Sequence, residues 1–196
     1  MDGLVIDWGG VLTTSVFDAF EGFRRREGVD VRNAFRHDTP ARRHLIDLES
    51  GTIDLPEFER RVAATLAVAP DGLAKRLMAD VAPDIEMRRA VKRYHDAGIK
   101  TALVSNSWNE DDYDVDLHAM FDVVVLSQTL KIRKPAPEIF EVALERLNLP
   151  APACVFVDDL GGNLKAAKHL GLTTIKHERT EWTIHALDRL LLDRRS

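Results

Sequence analysis

Short apolar runs that stop abruptly at polar residues recur along this chain. The first, Leu4-Val5-Ile6, runs straight into Asp7 with Gly9-Gly10 close behind, the pattern of a buried parallel strand closing in a tight loop. From Thr14 to about Val81 the spacing becomes helical: Phe17, Phe20 and Phe23 recur among charged residues, then Leu45, Ile46 and Leu48. Asp54-Leu55-Pro56-Glu57 reads as a cap and first turn leading into Phe58, Val62 and Leu66, and a further helix is predicted after Pro70-Asp71. After Pro83-Asp84 helix and strand alternate to the end. Strands are predicted at 100–105, 121–126, 153–157 and 173–175, and helices ending near Ala97-Gly98 and at 135–147, 161–170 and 181–192.

This order predicts an α/β fold: a Rossmann-like parallel sheet from residues 1–13 and 82–196, with an all-helical cap, 14–81, inserted after the first strand. An insertion at that point should lie over the strand's carboxyl end, as a lid. Trp182, in the C-terminal helix, is expected to be a packing residue, and Trp108 to line the mouth of a pocket. Glu110-Asp111-Asp112 with Asp114 and Asp116 lacks the spacing of a calcium-binding loop and reads as a solvated helix start.

Composition narrows the class. A chain of 196 residues supports one core with an accessory lobe. A net charge of −5 leaves no electrostatic footprint for nucleic acid, and Arg24-Arg25-Arg26 reads as a solvated helix face. Cys154 stands alone, which excludes an intrachain disulfide and a cysteine-built zinc site. No apolar run has the length of a membrane span, and the first lacks the basic leader of a secretion signal. The expectation is a cytoplasmic monomer or homodimer acting on a small phosphorylated metabolite, with neither nucleic acid nor membrane as partner.

The polar residues that end the apolar runs suggest why a phosphate. One run ends at Asp7, another at Ser105-Asn106-Ser107, a third at Asp158-Asp159 before Gly161-Gly162-Asn163, and Lys134 precedes Pro135. Each alone has an ordinary reading as a turn, a helix cap or a surface charge. In a parallel sheet, however, the carboxyl ends of the strands share one edge, so these residues can meet in one crevice. Three carboxylates held together repel unless a hard cation sits among them, and Mg²⁺ suits an all-oxygen site. Lys134 and backbone N–H groups of the glycine loop supply the opposite polarity. A phosphoryl group fits that field, with Asp7 as in-line nucleophile.

Asp7-Trp8-Gly9-Gly10-Val11-Leu12, Val104-Ser105-Asn106, Lys134-Pro135-Ala136-Pro137 and Val157-Asp158-Asp159 with Asn163 together resemble the haloacid dehalogenase superfamily of aspartate-nucleophile hydrolases. Val155 to Lys165 and Ser105-Asn106-Ser107-Trp108 are similar to the N-terminal phosphatase domain of soluble epoxide hydrolases and to related sugar phosphatases. The resemblance implies that the nucleophile strand is central and that Asp7 forms an aspartyl-phosphate. It implies a Mg²⁺ ion on Asp7, the Gly9 carbonyl and Asp159, with Asp158 orienting a metal-bound water. It also implies that Ser105, Lys134, Asn106 and the Gly9 and Gly10 loop hold the phosphoryl oxygens, with Asn163 supporting them.

One departure stands out. Phosphatases of this family usually carry a second aspartate, a general acid, where this chain has Gly9. The resemblance then implies a substrate with a good leaving group, such as a sugar 1-phosphate or an acyl phosphate, or a substitute donor such as His37 or His44. Two alternatives stay open: a metal-independent dehalogenase, whose leaving group needs no proton, and a silent phosphate-binding or regulatory module.

Overall fold

A computed structural model of the chain describes residues 1–109 and 113–193. After β1 (Gly3–Ile6) come α1 (Val16–Glu27), α2 (Val31–Ala34), α3 (Pro40–Glu49), α4 (Leu55–Leu66), α5 (Leu73–Leu77) and α6 (Ile85–Asp96). The rest alternates: β2 (Lys100–Ser105), β3 (Val123–Leu126), α7 (Ser127–Leu130), α8 (Pro137–Leu147), β4 (Cys154–Asp158), α9 (Gly161–His169), β5 (Thr173–Lys176) and α10 (Thr180–Leu191). All strand pairs are parallel, in the order β3-β2-β1-β4-β5, so β1 is central. This is the Rossmann-like α/β sheet that the alternation of elements predicts.

The centre of the sheet is buried on both faces, which is why its strands read as unbroken apolar runs. Successive side chains of a strand point to opposite faces. Leu4, Ile6, Leu103, Val155 and Val157 accordingly join Met87, Val91, Tyr94, Leu187 and Leu191 of α6 and α10. Val5, Ala102, Val104 and Phe156 join Ile139, Phe140, Ala143, Leu164 and Ala167 of α8 and α9 on the other face. A third apolar cluster is built from the segment between β1 and α6, with Phe20, Phe23, Leu45, Leu48, Phe58, Val62, Leu73 and Leu77 fully or nearly buried and Trp108 packed against it. Helix starts in this segment are capped as their sequences suggest: Ser15, Thr39 and Asp54 each accept a backbone N–H of the first turn.

Some expectations shift. β3 starts at Val123 and not at 121, because the Phe121 N–H is taken by Leu117 O in the preceding turn. α8 starts at Pro137, after a cis Lys134–Pro135 bond. The single-turn helices α2 and α7 escape sequence reading, since four residues carry no period. Trp182 is a correction: it is 58% exposed, with the Arg179 guanidinium 4.6 Å over its ring, because the buried stripe of α10 runs through Thr183, Leu187 and Leu191. Arg24, Arg25 and Arg26 are exposed. Of the acidic stretch, 110–112 lie outside the described residues, whereas Asp114 pairs with Arg88 and Asp116 caps a short turn at His118. Among the described residues no helix is long and apolar enough to cross a membrane.

Candidate active site

β1 and β4 lie in register, with Ile6 opposite Val157, so the next residues, Asp7 and Asp158, leave the sheet side by side. On the other flank of β1 the last residue of β2 is Ser105. The strand-end residues thus gather at the carboxyl edge, where parallel sheets bind ligands.

Lys134 joins two of them. Its Nζ lies 2.7 Å from Asp7 Oδ1 and donates to Asp158 Oδ2 at 2.8 Å, and the side chain is only 1% exposed. The Trp8 N–H also donates to Asp7 Oδ1, at 2.7 Å. Asp158 accepts in addition from Leu160 N at 2.8 Å and from Asn163 Nδ2, 3.0 Å from both its oxygens. Such complete pairing offsets the cost of burying these charges. Asp7, Asp158 and Asp159 each offer a carboxylate oxygen, all within 4.8 Å of one another.

One ammonium cannot neutralise three carboxylates. Burial, with the charges of Asp158 and Asp159 adding to it and Lys134 opposing, pushes Asp7 up to about 8. Burial and the Asp158 charge push Asp159 up to about 6. Burial pulls Lys134 down, but the charges of Asp7 and Asp158 outweigh it and hold the ammonium above its usual range. An unbalanced set of hard oxygen donors is what a small divalent cation would complete, and the donor set fits Mg²⁺.

The glycine loop divides its tasks. Gly10 has φ +72°, and a β-carbon there would stand 2.7 Å from Asp159 Oδ2, so the left-handed turn and the close approach both favour glycine. Its N–H donates to Thr13 Oγ1 at 3.2 Å, and Gly10 does not line the main cavity. With that N–H turned to Thr13, Gly10 shapes the loop. Gly9 does line the cavity, and a β-carbon there would meet only Val16 Cγ2, at 3.8 Å. The Asn106 side chain is likewise committed, since its Oδ1 accepts from Lys134 N at 2.8 Å and its Nδ2 donates to Lys134 O at 3.1 Å. Its backbone N–H is what remains for an anion, and the side chain clamps the segment that carries Lys134.

A cavity of about 1210 Å³ opens above Asp7, Gly9, Ser105, Asn106, Lys134 and Asp159, between the sheet edge and the helices after β1. Trp108 lines it as expected, packed against Phe58 of α4 at 5.4 Å. His37 lines it in an exposed position beside Asp38 at 3.1 Å, whereas His44 is not among the lining residues and is held below its usual range by burial. Two further residues escaped sequence reasoning. Glu49 of α3 is 6% exposed and accepts from Arg133 Nε at 2.8 Å, tying the helical layer to the segment before Lys134. Burial raises the Glu49 carboxyl even against the Arg133 and Arg42 charges. The available signal was a glutamate on the apolar stripe of Leu45 and Leu48.

Comparison with known proteins agrees with this geometry. The model of the haloacid dehalogenase-like hydrolase family matches residues 1–171. Bifunctional epoxide hydrolase 2 of Rattus norvegicus is 29% identical over 116 residues, 55% of this chain and 20% of that protein. Phosphorylated carbohydrates phosphatase of Thermotoga maritima is 31% identical over 106 residues, 52% of this chain and 47% of that one. The chain spans between 10% and 48% of the length of such curated relatives. A haloacid dehalogenase family enzyme from Bacteroides thetaiotaomicron, solved with magnesium and inorganic phosphate, shares the fold, with a TM-score of 0.68 over 91% of this chain and 94% of that one at 21% identity. Because the family match runs from the first strand through α9 and takes in the strand ends that carry Asp7, Ser105 and Asp158, the chain belongs to the haloacid dehalogenase-like hydrolases.

Proposed function

We propose that this hydrolase is a Mg²⁺-dependent phosphatase of small phosphate esters that works through an aspartyl-phosphate on Asp7, with residues 14–81 as a substrate-selecting cap on a core of 1–13 and 82–196. The observation that carries the reading is the Lys134 ammonium shared by Asp7 and Asp158, with Asp159 in the same carboxylate cluster, at the floor of the cavity. The Thermotoga phosphatase and the Bacteroides magnesium–phosphate complex lend it support as relatives and neighbours.

Asp7, Asp159 and the Gly9 carbonyl would hold the ion, with Asp158 beside them. When bound, Mg²⁺ supplies positive charge that favours ionised Asp7 and offsets charge on the phosphoryl oxygens. Trp8 N–H and Lys134 fix Asp7 Oδ1 and so orient the carboxylate. Ser105, the Asn106 N–H and Lys134 bind the phosphoryl oxygens, and Asp7 attacks phosphorus as the leaving oxygen departs. Water then cleaves the aspartyl-phosphate, releasing inorganic phosphate and regenerating Asp7. Gly9 brings no side chain to protonate the leaving group, so this enzyme lacks the acid usual at that position.

The test is p-nitrophenyl phosphate hydrolysis with Mg²⁺ and with chelator, for the wild type and Asp7→Asn. Turnover that needs Mg²⁺ and vanishes in Asp7→Asn is the expected result. Mg²⁺ and phosphate binding without turnover would make the protein a binding module. Halide release from 2-chloropropionate without metal would make it a dehalogenase, a chemistry with no use for the Asp158-Asp159 pair.

A further inference from the structure

One carboxylate of the helical layer behaves as part of the sheet edge. Glu49, in the last turn of α3, is nearly closed off from solvent, and its Oε2 accepts from Arg133 Nε at 2.8 Å with Arg133 Nη2 2.7 Å away. The Trp108 side chain hydrogen-bonds the same carboxyl. Among the described residues, no other ion pair joins residues 14–81 to the rest of the chain. Two positions on, a β-carbon at Gly51 would stand 2.6 Å from the Gln128 carbonyl oxygen, so the end of α3 is pressed against the backbone of α7.

Both partners of Glu49 lie on the segments that the reading above gives to the phosphoryl oxygens. Trp108 ends the run Ser105-Asn106-Ser107 that leaves β2, and Arg133 immediately precedes Lys134. The Asn106 side chain already joins these two segments through the Lys134 backbone. Ser107 in turn holds α7, its Oγ accepting from Gln128 N at 3.2 Å and its N–H donating to Ser127 Oγ at 3.1 Å. By charge alone, a carboxylate on the wall of a phosphate site opposes binding. Glu49 can aid that site only through the groups it holds.

We infer that Glu49 is a positioning residue: through Trp108 and Arg133 it fixes the Ser105 loop and the Lys134 segment at the spacing in which both meet one phosphoryl group. The inference rests on the phosphatase reading above and deepens it, making the helical layer part of the reactive arrangement. Glu49 belongs to the layer by sequence and to the edge by contact. Its replacement should therefore alter turnover.

The experiment measures inorganic phosphate binding by calorimetry on the Mg²⁺-loaded full chain, beside kcat and KM for p-nitrophenyl phosphate and the melting temperature. Inorganic phosphate has no body with which to touch the wall. Glu49→Ala should weaken its binding by about tenfold, about 1.4 kcal/mol. The same variant should lower kcat by about 10- to 100-fold, with KM changing less, since misplacing a group by about 1 Å costs up to about 100-fold. Glu49→Gln loses the charge but keeps an oxygen that can accept, and should recover most of both. Trp108→Phe, which keeps an aromatic ring against Phe58 but gives up the indole N–H, should shift both in the same direction as Glu49→Ala by less, and carries the test should Glu49→Ala not fold. Glu59 lines the same cavity, but its bond, from Ala74 N, stays within the helical layer, so Glu59→Gln should match the wild type. Tighter phosphate binding in Glu49→Ala and Glu49→Gln alike is what mere removal of a negative charge gives, and would overturn the inference. So would a lowered melting temperature with phosphate affinity and kcat unchanged. A wild type that binds phosphate but turns over no ester would overturn the phosphatase reading, while the phosphate affinities still decide the role of Glu49; absence of phosphate binding in the wild type would overturn both.

Discussion

Lys134, Asp158 and Asn163, at the carboxyl edge of the sheet, are less than a tenth exposed and joined by hydrogen bonds of 2.8 to 3.0 Å. Across the cavity, Arg32, Arg36, Arg42 and Lys75 line the wall contributed by the helical layer, and among the described residues none of them makes an ion pair. The edge is preorganised: its dipoles and charges are aimed before any ligand arrives and need not rearrange during reaction. The layer holds its cations without carboxylate partners, Arg32 resting on the Phe17 ring and carbonyl. Substitutions at the edge should therefore change turnover and folding together, and those in the layer should change affinity with little effect on kcat.

The sharpest break in that comparison comes from Asp7. Asp7→Asn should lower kcat by on the order of 10⁴-fold or more, as loss of a nucleophile does, while the metal-free protein becomes harder to unfold by heat because a buried like charge is gone. A fall in activity accompanied by a fall in metal-free stability would place Asp7 in a structural role. Lys134→Met comes next. It leaves two buried carboxylates without their cation, and urea unfolding should register a loss of about 3–5 kcal/mol; a loss no greater than that of a surface lysine would mean the edge is not built around this ammonium.

Metal and pH sharpen the contrast more gently. Asp7 is pushed up to about 8 in the folded chain from its ordinary 3.8, so folding favours its protonated form. The stability this contributes is complete below the ordinary value and is lost as pH rises toward the folded one. The metal-free melting temperature should therefore drop between pH 5 and about 8, and added Mg²⁺ should raise it more at pH 8 than at pH 6. A Mg²⁺ shift independent of pH would argue that the ion does not compete with protons at these carboxylates. The smallest effect belongs to the layer: Arg42→Ala should raise KM by roughly tenfold or less, about 1.4 kcal/mol, with kcat unchanged. A large loss of kcat would place Arg42 with the edge.

The sequence discloses the edge better than the layer, for a physical reason. Asp7, Ser105 and Asp158 sit where apolar runs end, and a strand's end is a local property that parallel pairing carries to one rim of the sheet. The resemblance in turn implied the central position of β1. What stayed hidden depends on which partner a polar atom selects. Nothing in the spacing of Asn106 and Lys134 says that the amide would close on the lysine's own backbone, or that the Gly10 N–H would turn to Thr13. Glu49 and Arg133 meet across 84 positions, beyond any periodic pattern. Trp182 shows the limit of helical patterning: its aromatic character suggested a core position, but the neighbouring Thr183 is the residue that faces inward.

The two glycines of the first loop, adjacent in the chain, differ sharply in what they would tolerate. Position 10 is a tight joint, where the backbone turn strains any side chain and a methyl would displace the Asp159 carboxylate, 2.7 Å away. Position 9 is a vacant socket opening onto the cavity. In a library randomised across both codons, functional clones should retain glycine at the second and diversify at the first, making that socket the natural foothold for grafting new reactivity onto this scaffold.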